Sequence, residues 1–290
     1  MPRRKRWEVL EIKDGFGQVR FLRWRYFIDF INQEMLDFET YIWRGQRCDN
    51  WLLESTLDRL IKKAKIAKAK RPDFGRSHLE QFKYAARGRR GQNPAKIEDE
   101  NEWWALGQHH GLATPLLDWT TSPFAAAYFA FIGTGDNQTR YRAMHALHRP
   151  SVETKVSQLK SDETIRREEE KKALQKSNKP PSLLTLMAFD QPIRPEFEFI
   201  RPRSDENQRL VNQSGLFTRA PTGKTLEEWV QIHFVGEAKY NILMKLLIPN
   251  RDREECLRML NRMNINHLTL FPDLYGASKF CNLFGEIEKY

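Results

Sequence analysis

GQHHGLATPLLDWTTSPFAAAYFAFIG, residues 107–133, is the stretch on which the fold turns. Ser122 and Pro123 mark a helix start: the serine hydroxyl can cap, and proline at the first helical position gives up an amide hydrogen that has no partner there. The FAAAYFAFI run that follows is apolar on every side, so this helix is expected to be buried. A buried helix needs acceptors for its free N-terminal amides. Thr120, Thr121 and Ser122 can supply some, and the positive end of the helix dipole also suits a phosphate or another anion. On this stretch alone, a capped core helix and an anion site both stay open.

Just upstream, DENEWWALGQHHG has acids in its first turn and Gly111 past its end, which predicts a helix finishing at Gln108, His109 and His110. Asp118 lies shortly before the next helix, so a compact turn could bring these side chains to one edge. Each also has a plain role, the histidines beside a helix C-terminus and Asp118 on loop amides. Polar residues this dense beside an entirely apolar helix nonetheless exceed what capping requires.

Working toward the N-terminus, TYIWRGQ (residues 40–46) reads as a short buried strand carrying Arg44. A guanidinium among large apolar side chains must find an acid of the fold or an anionic ligand. WEVLEIKDGFGQVRFLRW reads as two strands around an Asp14-Gly15 turn, and YFIDFINQEML as a helix. Ser55 with Asp58 caps a helix whose apolar face holds Leu57, Leu60, Ile61 and Ala64, with the basic run to Arg71 as its solvated face and C-terminus. Ser77 with Glu80 opens another, closed at Gly88. The loop RGRRGQNP then carries Arg87, Arg89 and Arg90, either plainly exposed or able to hold phosphate.

Toward the C-terminus, AMHALH reads as a strand in which His145 and His148, three apart, fall on opposite faces, against shared metal ligation. Residues 151–182 are almost devoid of large apolar side chains and read as a solvated helical insertion stopped by Pro180 and Pro181. LLTLMAFD opens the second half, EFEFIRP and WVQIHFV alternate as strands, the latter with Val230, Ile232 and Phe234 on one face, and KLLIP is a buried strand. DREECLRMLNRM and the end of LFPDLYGASKFCNLFGEI are helical. In SDENQRLVNQSGLFT, a helix capped by Asp205 and ending at Gly215 would put Arg209 and Gln213 on one face, where Arg209 could clasp a carboxylate or phosphate. Strands and helices mix without regular alternation, which predicts an α+β fold with a mixed or antiparallel sheet and flanking helices, not a doubly wound nucleotide fold.

The 290 residues, 40% apolar and 12% aromatic, can bury a sizeable core. The net charge of +10 favours an anionic partner, a nucleotide, a nucleic acid or an acidic protein, although it also fits plain solubility. Cys48, Cys256 and Cys281 lack the spacing of a zinc site or a disulfide framework, and no run is apolar enough for a signal peptide or a membrane span. A cytoplasmic protein without a metal or a membrane is the expectation. No phosphate-loop, dinucleotide-glycine or serine-elbow signature is present.

Trp43-Arg44-Gly45, the Trp51, Leu53, Thr56-Leu57, Arg59 series and QHHGLATPLLDWTTSPFAAAYFA together resemble the FRG-domain family, with Arg209, Gln213, Gly215-Leu216-Phe217-Thr218 and LFPDLYG matching its later signatures. The likeness spans about residues 38 to 280 and divides the chain into an N-terminal hairpin and helix (1–37), a first half of the domain (38–150), the charged insertion (151–182) and a second half (183–290). More distantly, Trp43-Arg44-Gly45 and Thr120-Thr121-Ser122 ahead of the alanine- and phenylalanine-rich helix resemble ADP-ribosyltransferases of the arginine, serine, glutamate type. That resemblance implies NAD as substrate. Arg44 would hold its phosphate or ribose, the hydroxyls would position the nicotinamide ribose, and Gln213 would stand where those enzymes use a glutamate, leaving the charge to another acid such as Asp118.

The resulting expectation is an NAD-binding enzyme with Arg44, His109, Asp118 and Gln213 as catalytic candidates. Gly45, Gln108, His110, Thr120, Thr121, Ser122 and Arg209, again with Arg44, would contact the nucleotide. The resemblance suggests a role in phage defence or as a toxin. The alternatives are a nucleic-acid or protein interaction module, motivated by the charge, the RGRRGQ loop and the lysines of 62–71, and a hydrolase or nuclease using His109, His110 and Asp118.

Overall fold

The run after Ser122 forms the helix its sequence dictates. Ser122 Oγ accepts from Ala125 N at 3.2 Å, and the helix α5 (Pro123–Ile132) is buried almost throughout. The computed structural model describes residues 6–35, 40–134, 139–176, 193, 195–201, 215–219, 223–237 and 242–290.

Among the described residues, eight strands form one mixed sheet: β1 (Trp7–Lys13), β2 (Phe16–Phe21), β3 (Tyr41–Gln46), β4 (Leu116–Thr120), β5 (Tyr141–His148), β6 (Glu198–Ile200), β7 (Gly215–Arg219) and β8 (Leu243–Pro249), in the order β1-β2-β8-β5-β3-β4-β7-β6. Only β2 and β8 run parallel among these neighbours. The described helices are α1 (Trp24–Glu34), α2 (Thr56–Lys63), α3 (Arg71–Ala85), α4 (Glu100–His109), α5, α6 (Arg149–Lys176), α7 (Leu226–His233), α8 (Arg253–Arg262), α9 (His267–Leu270) and α10 (Leu274–Glu286). This is an α+β fold, and none of the described helices is long and apolar enough to cross a membrane.

Alternation along the strands divides the core. Trp43, Met144, Ala146, Met244 and Leu246 face α1, α5 and α8, where Phe27, Ala126 and Leu257 close the layer. Ile42, Leu147 and Leu243 face the other way, onto Trp229 and Val230 of α7 and Val152 of α6. A third cluster joins Leu57 and Ile61 of α2, Leu79 of α3 and Trp104 of α4 to Leu116 and Phe217. The β1–β2 turn places Asp14 and Gly15 at positive φ, 48° and 75°, as a two-residue hairpin requires.

Three expectations are corrected. WVQIHFV is not a strand: Thr225 and Glu228 form a capping box, and Leu226, Trp229 and Val230 bury one helical face, leaving Ile232 exposed. A seven-residue window matches a period of two and one of 3.6 too evenly to decide. α3 begins at Arg71 with Pro72 in its first turn, so Ser77 and Glu80 lie inside it and do not cap it. The basic run is not one helix, since α2 stops at Lys63 and Lys65 turns the chain at a φ of 53°. Asp118 sits in the middle of strand β4, and the short connection from α4 brings it to Gln108.

Candidate functional site at the β3–β4 seam

β3 pairs with β5 along six residues, Tyr41 to Gln46, but meets β4 at one position, Trp43 opposite Thr120. Continuing that register would set Arg44 against Trp119 and Gly45 against Asp118, yet those pairs do not form. Arg44 fills the opening instead. Its Nη1 donates to the Asp118 carbonyl at 2.8 Å and to Asp118 Oδ2 at 3.2 Å. The Arg44 side chain is 19% exposed and that of Asp118 is 59% exposed, so the acid that meets this cation stands at the opening and not in the interior.

A cavity of about 310 Å3 lies here, lined by Trp43, Arg44, Gly45, Asp118, Trp119, Thr120, Phe129 and Phe271. Gly45 is required by packing: a Cβ there would run into the Ala126 carbonyl oxygen and Ala130 N of α5. Absence of that side chain lets α5 lie directly on β3 and brings Phe129 to the cavity. Two buried groups at this seam, Trp43 Nε1 and Arg44 Nε, have no hydrogen-bond partner among the described residues.

The second oxygen of Asp118 is also held. Gln108 Nε2 donates to Asp118 Oδ1 at 2.7 Å, and the Thr114 hydroxyl donates to Gln108 Oε1, which fixes which end of the amide faces the acid. Thr114 in turn is bound to α2, its N–H donating to Thr56 Oγ1 at 2.8 Å while the Thr56 hydroxyl donates to the Thr114 carbonyl at 3.1 Å. The last turn of α4 and the first of α2 thus aim the carboxylate.

Of the residues expected at a site, the cavity gathers Arg44, Gly45, Asp118 and Thr120, and Gln108 supports it from behind. Ser122 spends its hydroxyl on the α5 cap, and Thr121 is exposed outside the lining. His109 and His110 stack edge to face with each other, ring centroids 4.8 Å apart, away from the cavity lining. Among the described residues no three His, Cys, Asp or Glu side chains converge in a way that could hold a metal ion. Arg209 and Gln213 lie outside the described residues.

Sequence reasoning missed the layer behind Arg44. Arg44, His145 and Lys245 stand in register across β3, β5 and β8. His145 is fully buried, neither ring nitrogen has a hydrogen-bond partner among the described residues, and Glu227 Oε1 of α7 lies 4.0 Å from Nε2. Burial, with Lys245 and Arg44 adding positive charge nearby, holds the imidazole well below its ordinary pKa, so it is neutral. Burial likewise pushes the Glu227 carboxyl up and the Lys245 ammonium down. Glu227 accepts from Leu53 N with both oxygens, at 3.0 and 3.1 Å, which explains how the residues after Trp51 are moored. Strand alternation through Arg44 and His145 could have revealed this row; the Glu227 contact, bridging 174 residues, could not.

No curated protein and no solved structure matches the chain. The family model for the FRG domain matches residues 39–139, the stretch that holds Trp43-Arg44-Gly45, Gln108, Asp118 and α5. The seam therefore lies within the stretch that is similar to the FRG domain.

Proposed function

We propose that the β3–β4 opening binds NAD and that the protein releases nicotinamide from it, as a glycohydrolase or an ADP-ribosyltransferase. The observation that carries this reading is the pairing of Arg44 with a half-exposed Asp118 at the mouth of a cavity with aromatic walls. At about 310 Å3 the cavity is at the small end of ligand sites, which run from roughly 300 to 1,000 Å3. It has room for the nicotinamide nucleoside half, with the remainder along the rim.

In this reading Arg44 exchanges one anion for another. A substrate phosphate takes the guanidinium, and the Asp118 carboxylate, still oriented by Gln108, turns to the ribose. The C1′–N bond breaks with its electrons leaving on nicotinamide. Water or an acceptor nucleophile then bonds to C1′ and gives up its proton to Asp118, whose charge also stabilises the cationic ribose. Asp118 supplies the charge that Gln213 lacks. Consumption of NAD would suit a toxin or a phage-defence protein.

Nicotinamide release by the purified protein tests the proposal, with the Asp118→Asn protein as control. Release by the parent and its loss in the variant are expected. Folded protein that neither binds millimolar NAD nor releases nicotinamide overturns it.

A further inference from the structure

The charge of this protein is not spread over its surface. Residues 62–96 contain twelve Lys and Arg against Asp73 and Glu80, a surplus of ten that equals the net charge of the whole chain. Outside that segment 36 basic residues face 36 acidic ones. All of the surplus therefore sits on the end of α2, the connection to α3, α3 itself and the loop after it.

The packing of this lobe turns its apolar residues inward. Leu57, Ile61 and Leu79 are buried with Trp104, and Ile66 and Phe74 pack against them. Lys63, Lys65, Lys68 and Lys70 are exposed and form no ion pair with a described residue. Among the described residues, Arg87 and Arg89 donate side-chain hydrogen bonds only to the carbonyls of Tyr84 and Ala85 and pair with no acid. Tyr84 is 71% exposed, with the Arg87 guanidinium 3.7 Å from its ring centroid. The loop that carries these arginines turns on Gly88 and Gly91, both at positive φ and with open space around them.

We propose that the α2–α3 lobe binds single-stranded nucleic acid, with Lys63, Lys65, Lys68, Lys70, Arg87 and Arg89 on the phosphates and Tyr84 stacking on a base. Clustered cations without acid partners match a polyanion of regular charge spacing. An exposed aromatic ring beside arginine offers the sequence-tolerant stacking that single strands use. A bilayer would need an exposed apolar face, and the lobe has turned its own inward. An acidic protein surface has no use for the stacking platform.

Fluorescence anisotropy with a labelled 20-nucleotide oligouridylate, a matching duplex, polyglutamate and phosphatidylserine vesicles tests this. Binding to oligouridylate that weakens at least about tenfold between 50 and 200 mM KCl is expected. Joint reversal of Lys63, Lys65, Lys68 and Lys70 to Glu should cost about 30-fold or more, four phosphate contacts being lost. Tyr84→Ala should cost about fivefold or more on the single strand and leave the duplex unchanged. Reversal of Lys171 and Lys172 on α6 should change nothing. The proposal is overturned by absence of oligouridylate binding at 50 mM KCl, by unchanged affinity in the folded quadruple variant, or by equal binding of polyglutamate or vesicles. If the quadruple variant does not fold, an unaltered affinity in Tyr84→Ala overturns it.

Discussion

Strand β3 has two edges, and they differ. On the β5 side the ladder is complete and the polar groups it encloses are sealed. On the β4 side it stops after one pair, and Arg44 bridges the gap. The complete side has its own arginine. Arg142 on β5 is 1% exposed, donates to Asn250 Oδ1 at 2.7 Å and to the Arg47 carbonyl at 3.1 Å, and is pushed down to about 10 by burial. One cation is thus locked among neutral acceptors within the fold, and the other rests on a carboxylate at an opening. Burial of an arginine therefore does not by itself set a site apart; the two differ in that the partner of Arg44 is exposed.

Substitutions on the two edges should break in different ways. The largest effect is expected from Asp118→Asn, which keeps the shape of the seam but removes its charge: nicotinamide release should fall by about 100- to 1,000-fold. Arg44→Ala should weaken NAD binding by about 10- to 100-fold, the worth of hydrogen bonds to a charged group, with little change in denaturation midpoint. Arg142→Ala is its mirror image. It should lower stability in urea by about 1.5–3 kcal/mol and leave NAD affinity intact. Gly45→Ala drives a Cβ into the Ala126 carbonyl and should cost about 1–3 kcal/mol or more by separating α5 from β3.

The smallest effect belongs to the sealed edge and to pH. The folded protein keeps His145 neutral well below the unfolded value, so the unfolded chain binds the extra proton as the pH falls. Stability contributed by the neutral imidazole is complete above about pH 6.5 and is lost below it at up to about 1.4 kcal/mol per pH unit. His145→Gln should flatten that acid slope between pH 7 and 5 in urea titrations. A slope equal to that of the parent would mean that the imidazole is not sealed.

What the sequence made legible follows the range of the interactions. Ser122-Pro123, Ser55-Asp58 and Asp14-Gly15 act within three residues and announce their helices and turn directly. Arg44 and Asp118 could be singled out because a cation among apolar residues and an acid beside a buried helix each need a partner. Their meeting, 74 residues apart, could be expected only through the family likeness. The opening of the seam left no trace, because a ladder that stops after one pair looks the same in sequence as one that continues. Phe271, the cavity wall supplied from between α9 and α10, was hidden for the same reason, and WVQIHFV shows how a short alternating window misleads when a capping box outweighs it.

The most direct test is the structure of the protein soaked with NAD. The nicotinamide nucleoside should lie among Trp43, Arg44, Asp118, Thr120 and Phe129, with a phosphate on Arg44 and the Arg44–Asp118 pair parted. An intact pair over an empty cavity at millimolar NAD, or the dinucleotide bound elsewhere, would contradict the account.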